Sequence, residues 1–181
     1  MKQKPTQVLK EEHKVIKKML DVIEKIVSDF KEVDKNELES IVDFIKNFAD
    51  KCHHAKEENK LFPAMEKAGI PKEDGPIGVM LQEHDIGRGY VRGLAETIQK
   101  SKKDKISTKD IKEDALGYVD LLRQHIDKED NILYMMADMH INDNEQKNLV
   151  LEFEKVEERI GKGVHEKYHK LVESLVSKYS L

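Results

Sequence analysis

Two short stretches, His53-His54-Ala55-Lys56-Glu57-Glu58 and His125-Ile126-Asp127-Lys128-Glu129-Asp130, decide the fold. Each sets a His and a Glu four residues apart, and each is followed by Leu and an aromatic, Leu61-Phe62 and Leu133-Tyr134. On a helix, residues four apart lie one above the other on one face. An imidazole nitrogen and a carboxylate can then reach a common cation. The second block follows the first after about 70 residues, room for bundle helices and their loops. The pair therefore reads as two helices, each offering half of a metal site.

Hydrophobic periodicity extends this reading to six helices. The first runs from about Thr6 to Phe30 on the row Leu9, His13, Ile16, Leu20, Ile23, Val27, Phe30. The second starts at the candidate N-cap Asn36 and ends by Gly69, with Pro63 expected to kink or shorten it. Pro76 suits the first turn of a third helix, which runs to about Ser101 on the row Met80, His84, Gly87, Val91, Leu94, Ile98. The fourth spans about Thr108 to Asp138 on the row Ile111, Ala115, Tyr118, Leu122, His125, Glu129, Ile132, Met136. A fifth (Asp143–Ile160) and a sixth (Gly163–Tyr179) meet at Gly161-Lys162-Gly163. The expected fold is all-α: an antiparallel up-down-up-down four-helix bundle over residues 1–140. Residues 141–181 form a C-terminal helical hairpin packed on it as part of the same domain.

Polar residues stand in the apolar rows. His13, His84, His125 and Glu129 interrupt three of them, and His53 and Glu57 lie in the steeper row Ile45, Ala49, His53, Glu57, Leu61. A buried carboxylate without a partner costs several kcal/mol or a large pKa rise. Each of the four histidines lies roughly 17 residues, or about 25 Å of helix, from the loop joining its helix to its neighbour. In an up-down-up-down bundle they come to one level, with Glu57 and Glu129 one turn further along. Four imidazoles and two carboxylates at one level form a metal site sized for two ions bridged by the carboxylates. Mixed N/O ligation suits iron best, and manganese and zinc are compatible with it.

Composition limits the alternatives. The 181 residues are 38% hydrophobic and 38% charged, enough for one domain with a core and no more. A net charge of −4 argues against nucleic acid as a partner. Interleaved Lys and Glu read as solvated helix faces. The single cysteine, Cys52, has no internal disulfide partner and reads as a small core residue or one bordering the site beside His53, with a redox role left open. No secretion signal and no apolar run near 18 residues is visible, so the expected setting is cytoplasmic, with no membrane partner.

These residues resemble the hemerythrin-like (HHE cation-binding) family over about Gln7 to Ala137. The resemblance rests on His13, the first block with Leu61-Phe62-Pro63, Glu83-His84-Asp85 and the second block with Leu133-Tyr134. It implies a non-haem, oxo- or hydroxo-bridged centre of two iron ions. His13, His53, His84 and His125 are then terminal ligands, and Glu57 and Glu129 bridge the irons. Ferritin-like bundles use Glu-x-x-His, the reverse order at another spacing. His54 and Glu58, turned roughly 100° from His53 and Glu57, read as surrounding or surface groups.

One departure matters. Oxygen-carrying members of the family have a second His four residues after the third-helix His, where this chain has Arg88, which stays protonated and cannot ligate. His165 is the expected replacement, delivered by the hairpin packing near the glycine-bearing face of the third helix at Gly89 and Gly93. His140 is expected in solvent, and Tyr90, Tyr118 and Tyr134 in packing. A centre of this kind takes dioxygen, peroxide or nitric oxide as its small ligand. The readings left open are a hemerythrin-type binding protein, a catalase-like enzyme that decomposes peroxide, a non-catalytic oxygen or iron sensor or store, and an interaction bundle held by metal.

Overall fold

The computed structural model describes residues 4–161 and 163–181. Residues 1–3 of the expected first domain, and Lys162 in the expected hairpin junction, lie outside the described residues. The protein is all-α. Its helices are α1 (Pro5–Asp29), α2 (35–67), α3 (Pro76–Lys100), α4 (108–140), α5 (Asp143–Ile160) and α6 (Val164–Tyr179). No helix among the described residues is long and apolar enough to cross a membrane.

The termini follow local chemistry. Pro5 and Pro76 sit in the first turns of α1 and α3, where a missing N–H costs nothing. Asn142 caps α5 by accepting from the Asn144 and Glu145 amides. At α2 the cap is Asp34 rather than Asn36, because the chain before it forms an unanticipated strand. This strand, β1 (Glu32–Asp34), pairs antiparallel with β2 (Lys105–Ser107), Val33 opposite Ile106. The α1–α2 and α3–α4 connections therefore lie side by side at one end of the molecule.

Two helices depart from α geometry where the polar residues lie. In α2, Ile45–His54 and Glu57–Leu61 are π-helical, and in α4 so is Glu129–Leu133. Insertions of this kind cluster at functional sites. They also explain why α2 continues through Pro63 to Lys67 instead of breaking there. The Phe62 amide reaches back five residues to the Glu57 carbonyl, so the donor that proline lacks falls at a shift of register.

The core is split in two. One apolar cluster gathers Val15–Val27 side chains of α1 with Ile45, Phe48 and Ala49 of α2, Val91 and Leu94 of α3, and Ile111–Ile126 side chains of α4. The other holds Leu9, Leu61, Phe62, Met65, Ile77, Met80, Leu133 and Tyr134. His13, His53, Glu57, His84, His125 and Glu129 occupy the layer between, all buried.

The hairpin lies along α1 and α2. Tyr168, Val172 and Leu175 of α6 join the first cluster, and Leu149 and Phe153 of α5 join the second. Among the described residues the hairpin's main contacts are with α1 and α2, not with the glycine face of α3. The close neighbour there is α4, since a Cβ at Gly93 would collide with the Asp114 carboxylate.

Candidate metal centre

The buried layer forms two groups whose ligand atoms lie within 4.8 Å of one another: His13, His53, Glu57 and Glu129, and His54, Glu57, His84 and His125. Glu57 belongs to both. His13 Nε2 faces His53 Nε2 at 2.9 Å, and His84 Nε2 faces His125 Nε2 at 3.0 Å. The two carboxylates run between the halves. Glu129 sets Oε2 3.2 Å from His13 Nε2 and Oε1 3.2 Å from His125 Nε2. Glu57 Oε2 lies 3.7 Å from His53 Nε2 and 3.5 Å from His84 Nε2.

Each histidine is held from outside by its other nitrogen. The Nδ1 atoms of His13, His53, His84 and His125 meet Asp130 (2.8 Å), Glu12 (2.9 Å), Glu58 (2.7 Å) and Glu83 (2.9 Å). A carboxylate accepting from Nδ1–H keeps the proton there and turns the Nε2 lone pair inward. Facing lone pairs at 3 Å repel unless a proton or a metal cation relieves them. Glu57 Oε2 and both Glu129 oxygens are buried with no hydrogen-bond partner among the described residues, which is costly for acceptors in a dry core. Inward imidazole nitrogens and orphaned carboxylate oxygens are the donor set a cation with mixed N/O preference requires, so the residues present fit a metal.

The family model described as Hemerythrin HHE cation binding domain matches residues 4–137, most of the chain. The chain belongs to the hemerythrin HHE family. No curated protein and no solved structure matches it.

In this hemerythrin HHE chain the structure groups all six polar core residues read from the rows, and it revises what surrounds them. His54 is not a surface group. It is buried, its ring stacks on His84 at 3.8 Å between centroids, and it is one of the ligand-capable side chains of the second group. The π segment explains the discrepancy: a turn holding an extra residue rotates less per residue, so His53 and His54 both face inward, toward α1 and α3 respectively.

His165, expected as the replacement ligand, lies outside these two groups and in a third ligand-capable group, with Glu12 and Cys52. Its Nε2 lies 3.2 Å from Cys52 Sγ and 3.5 Å from Glu12 Oε1, behind His53 and outside both groups. The reason is the hairpin's seat on α1 and α2, away from Arg88 on α3. Arg88 holds the orienting carboxylates instead, donating from Nη2 to Glu58 (2.7 Å) and from Nε to Asp50 (2.9 Å). Asp50 in turn lies 3.4 Å from His54 Nδ1.

Two further residues escaped the composition argument, which assigned Lys and Glu to solvated faces. Lys56 is fully buried, its Nζ 2.5 Å from both Glu12 Oε1 and Glu157 Oε1. Glu12 continues the α1 row of Leu9 and Ile16, a signal open to a reading that asks which charges share an apolar row. Tyr134, expected in packing, also donates from its hydroxyl to Glu57 Oε1 at 2.6 Å. His140 is exposed, as expected.

Titration follows from these contacts. Burial would raise the Glu12 carboxyl, but the hydrogen bond to His53 and the Lys56 ammonium hold it at about 2. Burial lowers His53 to about 4 despite Glu12, leaving it a neutral donor at pH 7. Burial, then the adjacent Glu129 charge, pushes Glu57 well up. For Glu129 burial acts the same way but is outweighed by His125 and His13, so it stays ionised. Burial raises the Cys52 thiol to about 12, which leaves no thiolate for redox chemistry near neutrality.

Proposed function

We propose that the protein is a hemerythrin-type non-haem di-iron protein that binds or reacts with dioxygen, peroxide or nitric oxide. The observation that carries this reading is the pairing of inward Nε2 atoms around two carboxylates with orphaned oxygens, each imidazole oriented from behind by a carboxylate. In this reading His13 and His53 serve one ion, His54, His84 and His125 serve the other, and Glu57 and Glu129 are shared. His54 fills the nitrogen position that Arg88 vacates, so His165 is not needed. Iron matches the mixed N/O donors best, with manganese and zinc as competitors. A bound iron pair supplies redox chemistry toward small oxygen and nitrogen species.

The chain's own residues supply the rest. Asp130, Glu12, Glu58 and Glu83 fix the imidazole tautomers, a role whose loss commonly costs 10–100-fold in metal affinity. The two apolar clusters keep water from the layer between them. The reading also takes the long helices as an antiparallel up-down-up-down bundle, supported by the pairing of both connections at one end, with the hairpin as part of the same domain.

A second reading, peroxide decomposition, is favoured by Tyr134, a buried phenol that can hold a proton beside Glu57. The test loads the chain with ferrous iron anaerobically and follows its spectrum on adding dioxygen, peroxide, nitric oxide and azide. Shifts with these ligands are expected. A spectrum indifferent to all four overturns the proposal, and sustained gas evolution from peroxide, lowered in Tyr134→Phe, selects the second reading.

A further inference from the structure

A cavity of about 350 Å³ opens between α2, α3 and α4 and ends against His54. Pockets of a few hundred Å³ hold small organic molecules. Dioxygen, peroxide or nitric oxide needs far less, so access for a diatomic ligand does not explain its size.

The walls define what would fit. Ile45, Val91 and Ala95 make them apolar, and the ring of Tyr118 adds to this surface. The lining charge is unbalanced: Asp50 stands at the inner end, 3.4 Å from His54 Nδ1, and is matched there by Arg88. Arg88 is spent on Asp50, Glu58 and Asp85, and Glu96 is paired with Lys100. That leaves Lys46 and Arg92, both exposed lining residues with no carboxylate within 4.0 Å among the described residues. Inside, Tyr118 is 3% exposed, and its hydroxyl makes no hydrogen bond among the described residues. That hydroxyl is not one of the buried atoms left without a partner, so it keeps access to the cavity, where a ligand oxygen can accept from it.

We propose that this cavity binds a medium-chain carboxylate oxygenated on its chain, its head held by Lys46 and Arg92, its chain on the apolar wall, and its second oxygen at Tyr118. The site stands on the cavity and its charges, independently of whether the centre holds iron. An exposed cation contributes modestly, so the pair together is worth about tenfold in affinity. The apolar wall supplies the rest, roughly in proportion to the chain surface buried.

Calorimetric titration of the purified chain, with and without iron, tests this using octanoate, 8-hydroxyoctanoate and 1-octanol. Both carboxylates are expected to bind one to one, the hydroxylated one more tightly, and octanol to bind at least tenfold more weakly than octanoate. Lys46→Gln with Arg92→Gln should weaken octanoate about tenfold while leaving the circular dichroism unchanged, since neither side chain is paired. Tyr118→Phe should erase the preference for the hydroxylated chain, and Ala95→Phe, which fills the cavity, should abolish binding. The proposal is overturned by no carboxylate binding at millimolar concentration, by octanol matching octanoate, or by octanoate affinity that survives both the double variant and Ala95→Phe. Because the readout does not require metal, loss of the di-iron reading and loss of this site are separable results.

Discussion

Replacing Lys56 by Met isolates the electrostatics behind the centre. Met keeps an unbranched apolar stem and removes the ammonium that lies over the Phe153 ring and neutralises Glu12 and Glu157. Glu157 is partly exposed and rehydrates at small cost. Glu12 is not, and its carboxyl, held at about 2, would instead take up a proton. Protonating a carboxyl of ordinary value 4.5 at pH 7 costs about 3.4 kcal/mol, from 1.36 kcal/mol per unit. That agrees with the ~3–5 kcal/mol typical of breaking a buried pair. At about 2–4 °C per kcal/mol for a chain of this size, the metal-free variant should unfold about 7–14 °C lower. The sign of the pH dependence is fixed. A carboxyl depressed in the folded state contributes stability above its unfolded value and loses it as pH falls. The gap between wild type and Lys56→Met should therefore narrow as pH drops through 4.5 toward 2. Thermal denaturation by circular dichroism reads it, and Lys56→Met/Glu12→Gln should recover most of the loss. A deficit below about 1 kcal/mol at pH 7, or one unchanged on acidification, would mean that Lys56 does not hold Glu12 ionised.

Other substitutions separate the groups around the centre. His165→Ala should keep full iron content and an unchanged spectrum, because its ring contacts Cys52 and Glu12 and not the inner carboxylates; loss of iron would return it to the ligand set. His54→Ala should lower iron content toward one ion per chain, measured by elemental analysis, whereas unchanged content would make it a packing residue. Glu83→Gln, which leaves His125 without an ionised acceptor, should weaken metal binding about 10–100-fold in a competition titration with a chelator while the fold is retained.

Much of this centre was legible in the rows of the helices. His13, His84, His125 and Glu129 interrupt apolar rows at matching heights, and burial makes such interruptions costly enough to demand a shared partner. What was not legible depends on backbone geometry. An ideal α rotation sends His54 outward, and only the π segment of α2 turns it in. Without that, Arg88 leaves a gap, and His165 is the nearest histidine to fill it on paper. The hairpin's seat on α1 and α2 comes from Tyr168, Val172 and Phe153 packing against faces the periodicity does not rank. The β1–β2 pairing joins two three-residue segments too short to carry a strand pattern of their own.

The proposed centre holds two metal ions that share Glu57 and Glu129. Iron per chain after anaerobic loading and desalting measures it directly. Close to two ions are expected in the wild-type chain, with at least one lost in Glu57→Ala and in Glu129→Ala. A wild-type chain that holds one ion or none, or full occupancy in both variants, contradicts this arrangement.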